Sequence, residues 1–320
     1  MCEVSTGWVG RPLPLREAER LVAGRGRFID DLGLPRMLHA ALLRSPHAHA
    51  RIVRVDPDAA LGRPGVHAVL TGARAATLSR PIRPLIPTPA GVRDGCLAAD
   101  RVRYVGEPVA AVAADDRATA EDALEHIAIE YEPLPPVVDP EAALRPDAPL
   151  LYPEMGSNVI WHDALTYGDV DGAFAAAAGV LHERFEMHRY ASTPLETFGV
   201  VAEHDSGTDS YHIRANDQRP GLTMAILAES LGVPQARLRL TCPDVGGAFG
   251  NKRRPAYLII CALLARPDEI AGLARRARED AERRFGVGPH VRAVTAVYDA
   301  LLSGGSVRLP APSQPATPAL

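Results

Sequence analysis

Nine residues, DVGGAFGNK from Asp244 to Lys252, combine features that a site for a bulky ligand requires. Gly246, Gly247 and Gly250 strip side chains from the main chain, so a large molecule can approach it and free backbone N–H groups can point at an anion. Phe249 sets an apolar ring in this side-chain-poor loop, where it lines a pocket more naturally than it decorates a solvent turn. The common nucleotide templates do not fit. Gly246 and Gly247 are adjacent, which breaks GxGxxG; Asn251 separates Gly250 from Lys252, and Arg253 stands where a P-loop has Ser or Thr for magnesium. The competing reading is a tight turn whose glycines serve only positive φ.

Other reactive side chains give less. His47 and His49 form an HxH pair that would face one side of a strand, as a metal pair can, but no third ligand lies near them in the sequence and they read as structural. Glu196, in PLET, reads as a paired or solvated carboxylate rather than a base. His182, His188, His204 and His212 lack HExxH spacing, and no GxSxG elbow occurs, so hydrolytic chemistry has no motif to rest on. Cys2, Cys96, Cys242 and Cys261 stand far apart without a CxxC pair, which excludes a zinc or iron–sulfur framework and leaves reduced structural thiols.

The loop needs a strand before it and a helix after it, and the sequence offers both. ARLRLT places Ala236, Leu238 and Leu240 on one side of a strand, and PAYLIICALLA starts with Pro255 in a first helical turn and is apolar all round, hence buried. Upstream, Leu222 to Leu231 reads as a helix ended by Gly232, GVVAEHD and YHIRAND as a strand pair around SGTDS, and VLHERFEMHRY as a strand. Nearer the N-terminus, Leu38 to Leu43, Ala50 to Val55 and VAAVAA (Val109 to Ala114) read as strands. ATAEDALEHI follows as a helix with Ala120, Ala123, Leu124 and Ile127 on one face and Asp116 as N-cap, and IAIEY resumes a strand. Residues 140–158, rich in Pro and acidic residues, read as an extended connector between two units.

The composition agrees with about two soluble domains: 320 residues, 47% hydrophobic and 23% charged. With 35 basic against 39 acidic residues the net charge is −4, which points to neither a nucleic acid nor a membrane surface as partner. The longest apolar run, Ala256 to Ala265, has ten residues, too few to span a bilayer, and MCEVSTGWVGRPLP lacks the basic-then-apolar pattern of a leader; a cytoplasmic location is expected.

Together these segments resemble the molybdopterin-binding large subunit of the xanthine dehydrogenase, aldehyde oxidase and carbon monoxide dehydrogenase family, over about residues 10–266. GRGRFIDDLGLPRMLHAALLRSPHAHARI and VRYVGEPVAAVAADDRATAEDALEHIAIEYEPLPPVVD are similar to its a/b hammerhead domain; RYASTPLETFGVVAEHD, NDQRPGLTMAILAESLGVP and LTCPDVGGAFGNK are similar to the start of its first cofactor-binding domain. The implied fold class is α/β (α+β). The implied domains are an N-terminal extension (1–19), a hammerhead (20–139), a linker (140–158), a partial first molybdopterin-cofactor-binding domain (159–266), an unrelated helical tail (267–302) and a disordered end (303–320).

By the same resemblance Phe249 and Gly250 lie beside the molybdenum, with Gly246 and Gly247 giving backbone access. Gln218 of DQRP hydrogen-bonds a molybdenum oxo group, although Asp217 replaces the usual Thr. The implied activity is hydroxylation of a carbon substrate with water as oxygen source, on a molybdopterin cofactor in its cytosine dinucleotide form, with electrons leaving through iron–sulfur and FAD-binding subunits. Purine-oxidising members have a glutamate after the loop lysine; Arg253 stands there, which argues against a purine and leaves an aldehyde, carbon monoxide or another small carbon substrate. The family's glutamate base lies near the end of a chain more than twice this long, and no residue here matches it.

Past Arg266 the sequence leaves the family pattern. PDEIAGLARRAREDAERRFGVGPHVRAVTAVYDALL places Ile270, Leu273, Ala274, Ala277 and Ala281 on a helical stripe and faintly resembles the closing helices of two-Rossmann-domain glycosyltransferases. Two readings fit the junction: a truncated subunit joined to an unrelated tail, which is favoured, or a short protein that docks with separately encoded pieces. The expected function is accordingly the large-subunit part of a molybdenum hydroxylase, inactive alone. The alternatives are a non-catalytic assembly module and a glycosyltransferase-derived fusion. On this reading much of the surface of the apolar helix PAYLIICALLA should be left bare.

Overall fold

Seven consecutive buried residues, Pro108–Ala114, form the strand on which the first half is built. In the computed structural model, which describes residues 10–266 apart from 85–87, 89–91, 93 and 190, the chain divides into two units, Met1–Glu269 and Ile270–Leu320. The second unit lies outside the described residues, and with it the helical stripe and the Pro-rich end; so does Cys2.

Along the first unit the order is α1 (Ala18–Val22), β1 (His39–Arg44), β2 (Ala50–Asp56), α2 (Asp58–Leu61), β3 (Val66–Thr71), α3 (Gly72–Leu78), β4 (Arg101–Val102), β5 (Pro108–Ala114), α4 (Arg117–Leu124) and β6 (Ala128–Pro133). There follow α5 (Val170–Ala176), β7 (Val200–Asp205), β8 (Ser210–Ala215), α6 (Pro220–Leu231), β9 (Leu238–Thr241) and α7 (Pro255–Leu264).

β5 is apolar at every position because both of its faces are covered. It is central in an antiparallel sheet of order β1-β5-β3, with Ala41 opposite Val112. Ala110, Val112 and Ala114 pack with Ala120 and Ala123 of α4, whose small side chains let helix and sheet approach closely. Val109, pointing the other way, joins Ala50, Ile52 and Val102 of a second antiparallel sheet, β4-β2-β6. Asp116 caps α4 as expected, its carboxylate accepting from the Thr119 N–H at 2.7 Å.

A third sheet, β7-β8-β9, pairs β7 and β8 antiparallel and β8 and β9 parallel, with Ile213 opposite Leu240. The parallel pair requires a crossover, which α6 supplies; it ends at Gly232, whose φ of 67° suits a residue without Cβ. β3 and α3 were not expected from the sequence. Gly72 opens α3 so close to the chain that a Cβ there would lie 1.8 Å from the Ala98 carbonyl oxygen. Gly72→Ala is therefore expected to lower stability by about 1–3 kcal/mol, read from urea denaturation, since backbone rather than a flexible side chain must yield.

Three expectations are corrected. Residues 140–158 are not an extended connector but fold back on earlier residues of the same unit, with two short 3₁₀ turns, Ala142–Leu144 and Pro153–Met155. The Tyr152 hydroxyl donates to Asp94 at 2.6 Å while Arg103 stacks 4.3 Å over its ring and donates to the Leu151 carbonyl at 3.1 Å. Asn158 fastens the turn from inside, bonding Leu151, Ala143 and Pro149. VLHERFEMHRY is not a strand: residues 180–189 have no ladder partner among the described residues, and Leu181, Phe185 and Met187 are exposed. Alternation alone does not make a strand when no neighbour takes its N–H and C=O groups. Finally, α7 is not bare. Leu258, Ile259, Ile260, Ala262, Leu263 and Leu264 are buried, because α7 lies on β7 and β8, meets α6 and reaches α3 and β3.

Candidate functional site

The glycine loop runs from β9 to α7. Its backbone takes left-handed values at Gly247 (φ 89°), Phe249 (φ 47°) and Gly250 (φ 88°), and Phe249 is 74% exposed. A bulky residue seldom adopts positive φ, so surrounding contacts must hold it there. Ser192 Oγ donates to the Phe249 carbonyl at 2.8 Å, and Asn251 Nδ2 donates to the Ser192 carbonyl.

Two carboxylates anchor the loop. Asp244 accepts from both Nη atoms of Arg20, each at 2.6 Å, and from the Arg27 N–H at 2.7 Å, while its own N–H donates to the Arg27 carbonyl at 2.9 Å. The bidentate Arg20 guanidinium, helped by the Arg27 N–H, pulls the Asp244 carboxyl down to about 2. A depressed carboxyl stabilises the fold above its unfolded pKa, and that stabilisation is lost as pH falls through the folded value. The pH dependence of the wild type between about 4 and about 2 is thus expected to flatten in Asp244→Asn, as followed by acid titration of the far-ultraviolet signal.

Glu196 is the second anchor. Its Oε2 accepts from the Gly246 N–H at 2.7 Å and from Lys252 Nζ at 2.5 Å, and its Oε1 accepts from the Ile29 N–H at 3.3 Å. Burial opposes its charge, but the Lys252 ammonium and the Gly246 N–H outweigh burial and hold the carboxyl below its usual range. Lys252 is fully buried, and it is the only lysine in the sequence.

Gln218 meets the loop from just before α6. Its N–H donates to the Lys252 carbonyl at 2.7 Å and its Oε1 accepts from the Gly250 N–H at 3.0 Å. The preceding residues supply the footing. Asn216, fully buried, bonds the Gly199 N–H and the Thr197 carbonyl, and buried Asp217 accepts from the Arg219 N–H at 2.6 Å and the Thr223 hydroxyl at 3.1 Å. Burial pushes the Asp217 carboxyl up.

All five residues expected at a cofactor, Gln218, Gly246, Gly247, Phe249 and Gly250, thus fall in one loop and the side chain against it. The N–H groups of Gly247, Ala248 and Phe249 have no acceptor among the described residues, and nothing described accepts from Gln218 Nε2. Three successive free N–H groups in a loop of left-handed residues suit an oxyanion or the polar edge of a cofactor. Hollows of about 390 Å³ beside β7, β8 and β9 and about 140 Å³ around Cys96 include no residue of this loop, where Phe249 and Gly250 are exposed.

His49 Nδ1 lies 2.7 Å from the Pro135 carbonyl, and His47 packs edge-on to Tyr131. His204 pairs with Asp209 and His212 with Thr241, and no metal-holding cluster occurs among the described residues. Cys96, Cys242 and Cys261 are free thiols. Sequence reasoning did not anticipate Arg20, Ser192 or the partnership of Glu196 with Lys252; the solitary lysine in an arginine-rich chain was the available signal.

Residues 23–135 match the family model for the aldehyde oxidase and xanthine dehydrogenase a/b hammerhead domain, and residues 151–270 that for a molybdopterin cofactor-binding domain. The carbon monoxide dehydrogenase large chain of Hydrogenophaga pseudoflava is 36% identical over 269 residues, covering 78% of this chain and 32% of that protein. The nicotine 6-hydroxylase large subunit of Paenarthrobacter nicotinovorans is 36% identical over 251 residues, covering 76% and 30%. Quinoline 2-oxidoreductase from Pseudomonas putida 86 superposes with a TM-score of 0.74 at 37% identity, covering 81% of this chain and 33% of that one. The chain spans about a third of the length of these three proteins.

Proposed function

Because residues 23–270 of this chain belong to the aldehyde oxidase and xanthine dehydrogenase family of molybdopterin-binding large subunits, we propose that the chain supplies part of the cofactor site of a molybdenum hydroxylase. In that role it acts in the cytoplasm with iron–sulfur and FAD-binding subunits to hydroxylate an aldehyde or another small carbon substrate with water. Several relatives are by name large chains or subunits of complexes, which agrees with such partners. The proposed cofactor-binding residues are Gln218, Gly246, Gly247, Phe249 and Gly250, and the proposed domain limits are 20–139 for the hammerhead and 159–266 for the cofactor-binding part.

A single observation carries the reading: three consecutive N–H groups without acceptors among the described residues, in the same loop as the exposed Phe249 and the Gly250 N–H that Gln218 Oε1 accepts, all within the segment that matches a molybdopterin-binding domain. The cofactor, proposed in its cytosine dinucleotide form, would supply the two-electron redox chemistry. The chain's own residues bind and shield. The N–H groups of Gly247, Ala248 and Phe249 donate to cofactor oxygens, Gln218 Nε2 donates from the side, and the Phe249 ring excludes water from one face. Glu196 is not the base, since both of its oxygens are taken and its charge is balanced by Lys252. Arg253 in place of an acidic residue disfavours a purine.

Isotope labelling tests the reaction. In a complex assembled from this chain, the redox subunits and a polypeptide covering the remaining length of a relative's large subunit, product oxygen is expected to come from labelled water and not from labelled dioxygen; label from dioxygen would refute the reading.

The exposed apolar side chains of Leu165, Tyr167, Phe185, Met187 and Leu195 favour one second reading, a non-catalytic assembly module. Partner capture that persists in Phe249→Ala and Gly250→Val, with no turnover in the wild type, would support it.

A further inference from the structure

Residues 246 and 252, at the two ends of the glycine loop, converge on one oxygen. Glu196 Oε2 accepts from the Gly246 N–H at 2.7 Å and from the Lys252 ammonium at 2.5 Å, while the Glu196 N–H returns a bond to the Gly246 carbonyl at 3.3 Å. A Cβ at Gly246 would lie 2.6 Å from Glu196 Cβ, so the glutamate fills the volume that a side chain in the loop would need. From Lys252 the connection continues: its carbonyl holds the Gln218 N–H, and Gln218 Oε1 holds the Gly250 N–H.

We propose that Glu196 is the positioning residue of the loop, closing it through Lys252 and thereby fixing where Gln218 and Gly250 stand before any ligand arrives. The proposal rests on the reading that this loop faces a cofactor. Packing alone does not account for the choice of residues, because an apolar pair of similar volume can replace a buried ion pair at little net cost in stability. What the ion pair adds is direction: a carboxylate oxygen can take an N–H and an ammonium together, and a leucine can take neither. A lysine suits the role better than an arginine, since a compact ammonium reaches one shared oxygen where a guanidinium would demand a planar, two-pronged partner.

The test compares two variants of the full chain. In Glu196→Leu with Lys252→Met the volume is kept and the directional bonds are lost; in Glu196→Gln, with Lys252 kept, an amide oxygen remains to accept from both the Gly246 N–H and the Lys252 ammonium. The readout is hydrogen exchange at the Gly250 amide, whose acceptor neither variant touches. Exchange there is expected to rise about 10-fold or more in the first variant and to stay within about 2-fold of wild type in the second, with a cooperative thermal transition in both. Unchanged Gly250 exchange in the first variant would overturn the proposal.

A measurement on the wild type guards against variants that fail to fold. Lysine labelled with ¹⁵N gives a single side-chain signal, from Lys252, whose ammonium protons are expected to exchange at least about 100-fold slower than those of free lysine; exchange at the free rate would overturn the proposal as well. Both readouts need no cofactor. A chain that passes them but binds no pterin upholds the positioning role and refutes the functional reading alone.

Discussion

Replacing Lys252 with methionine is expected to cost the chain about 3–5 kcal/mol of stability, the largest loss from any single change at the site. The reason is the partner left behind. Glu196 sits with its side chain 11% exposed, and without the ammonium at 2.5 Å its charge is buried and uncompensated. Protonation would relieve the charge but would weaken the bonds that the carboxylate accepts from Gly246 and Ile29. Adding Glu196→Leu to Lys252→Met should recover a large part of the loss, since the lone charge is then gone and the two positions couple. Urea denaturation at neutral pH measures both; a single variant within about 1 kcal/mol of wild type would mean that the pair is not closed in solution.

Leu258→Ala is expected to cost about 2–5 kcal/mol, the range for a fully buried leucine whose surroundings collapse only in part. Leu258 has no exposed surface, and α7 is enclosed by β7, β8 and α6 within the first unit. The position discriminates between two pictures of this helix. A helix left waiting for a missing domain would lose little on truncation to alanine, because its leucine would be largely wet already; a loss below about 1 kcal/mol would restore that picture.

Local pattern made half of this molecule legible and distance hid the rest. β5 and α4 could be read because VAAVAA and the stripe of Ala120, Ala123 and Leu124 follow directly from the geometry of strand and helix, and Asp116 marks its own cap. β3 and α3 escaped notice as short neighbouring elements with mixed burial, although Thr71, whose hydroxyl accepts from the Arg74 N–H, carries the cap signal. Residues 180–189 mislead for the opposite reason: the alternation is present, and no strand among the described residues pairs with it.

The site shows the same division. The loop's glycines and Phe249 announce themselves, but what holds them does not. Asp244 is clamped by Arg20, 224 positions away, and Lys252 by Glu196, 56 positions away. No periodicity connects residues so far apart. From sequence Glu196 reads as either a paired or a solvated carboxylate; that it is paired, and with which residue, comes only from the fold, where burial forces the solitary lysine to find an anion.

The central claim is that the loop from Asp244 to Lys252 holds a molybdopterin cofactor. Its most direct test is the molybdenum and pterin content of the chain, purified after co-expression with iron–sulfur and flavin subunits and with a polypeptide covering the remaining length of a relative's large subunit. Molybdenum and pterin are expected in equal amounts in the wild type, and both are expected to be lost in Gly247→Val, where a branched side chain meets a φ of 89° and the Phe249 ring. A wild-type chain free of both, under conditions that load a relative's intact large subunit, would contradict the claim.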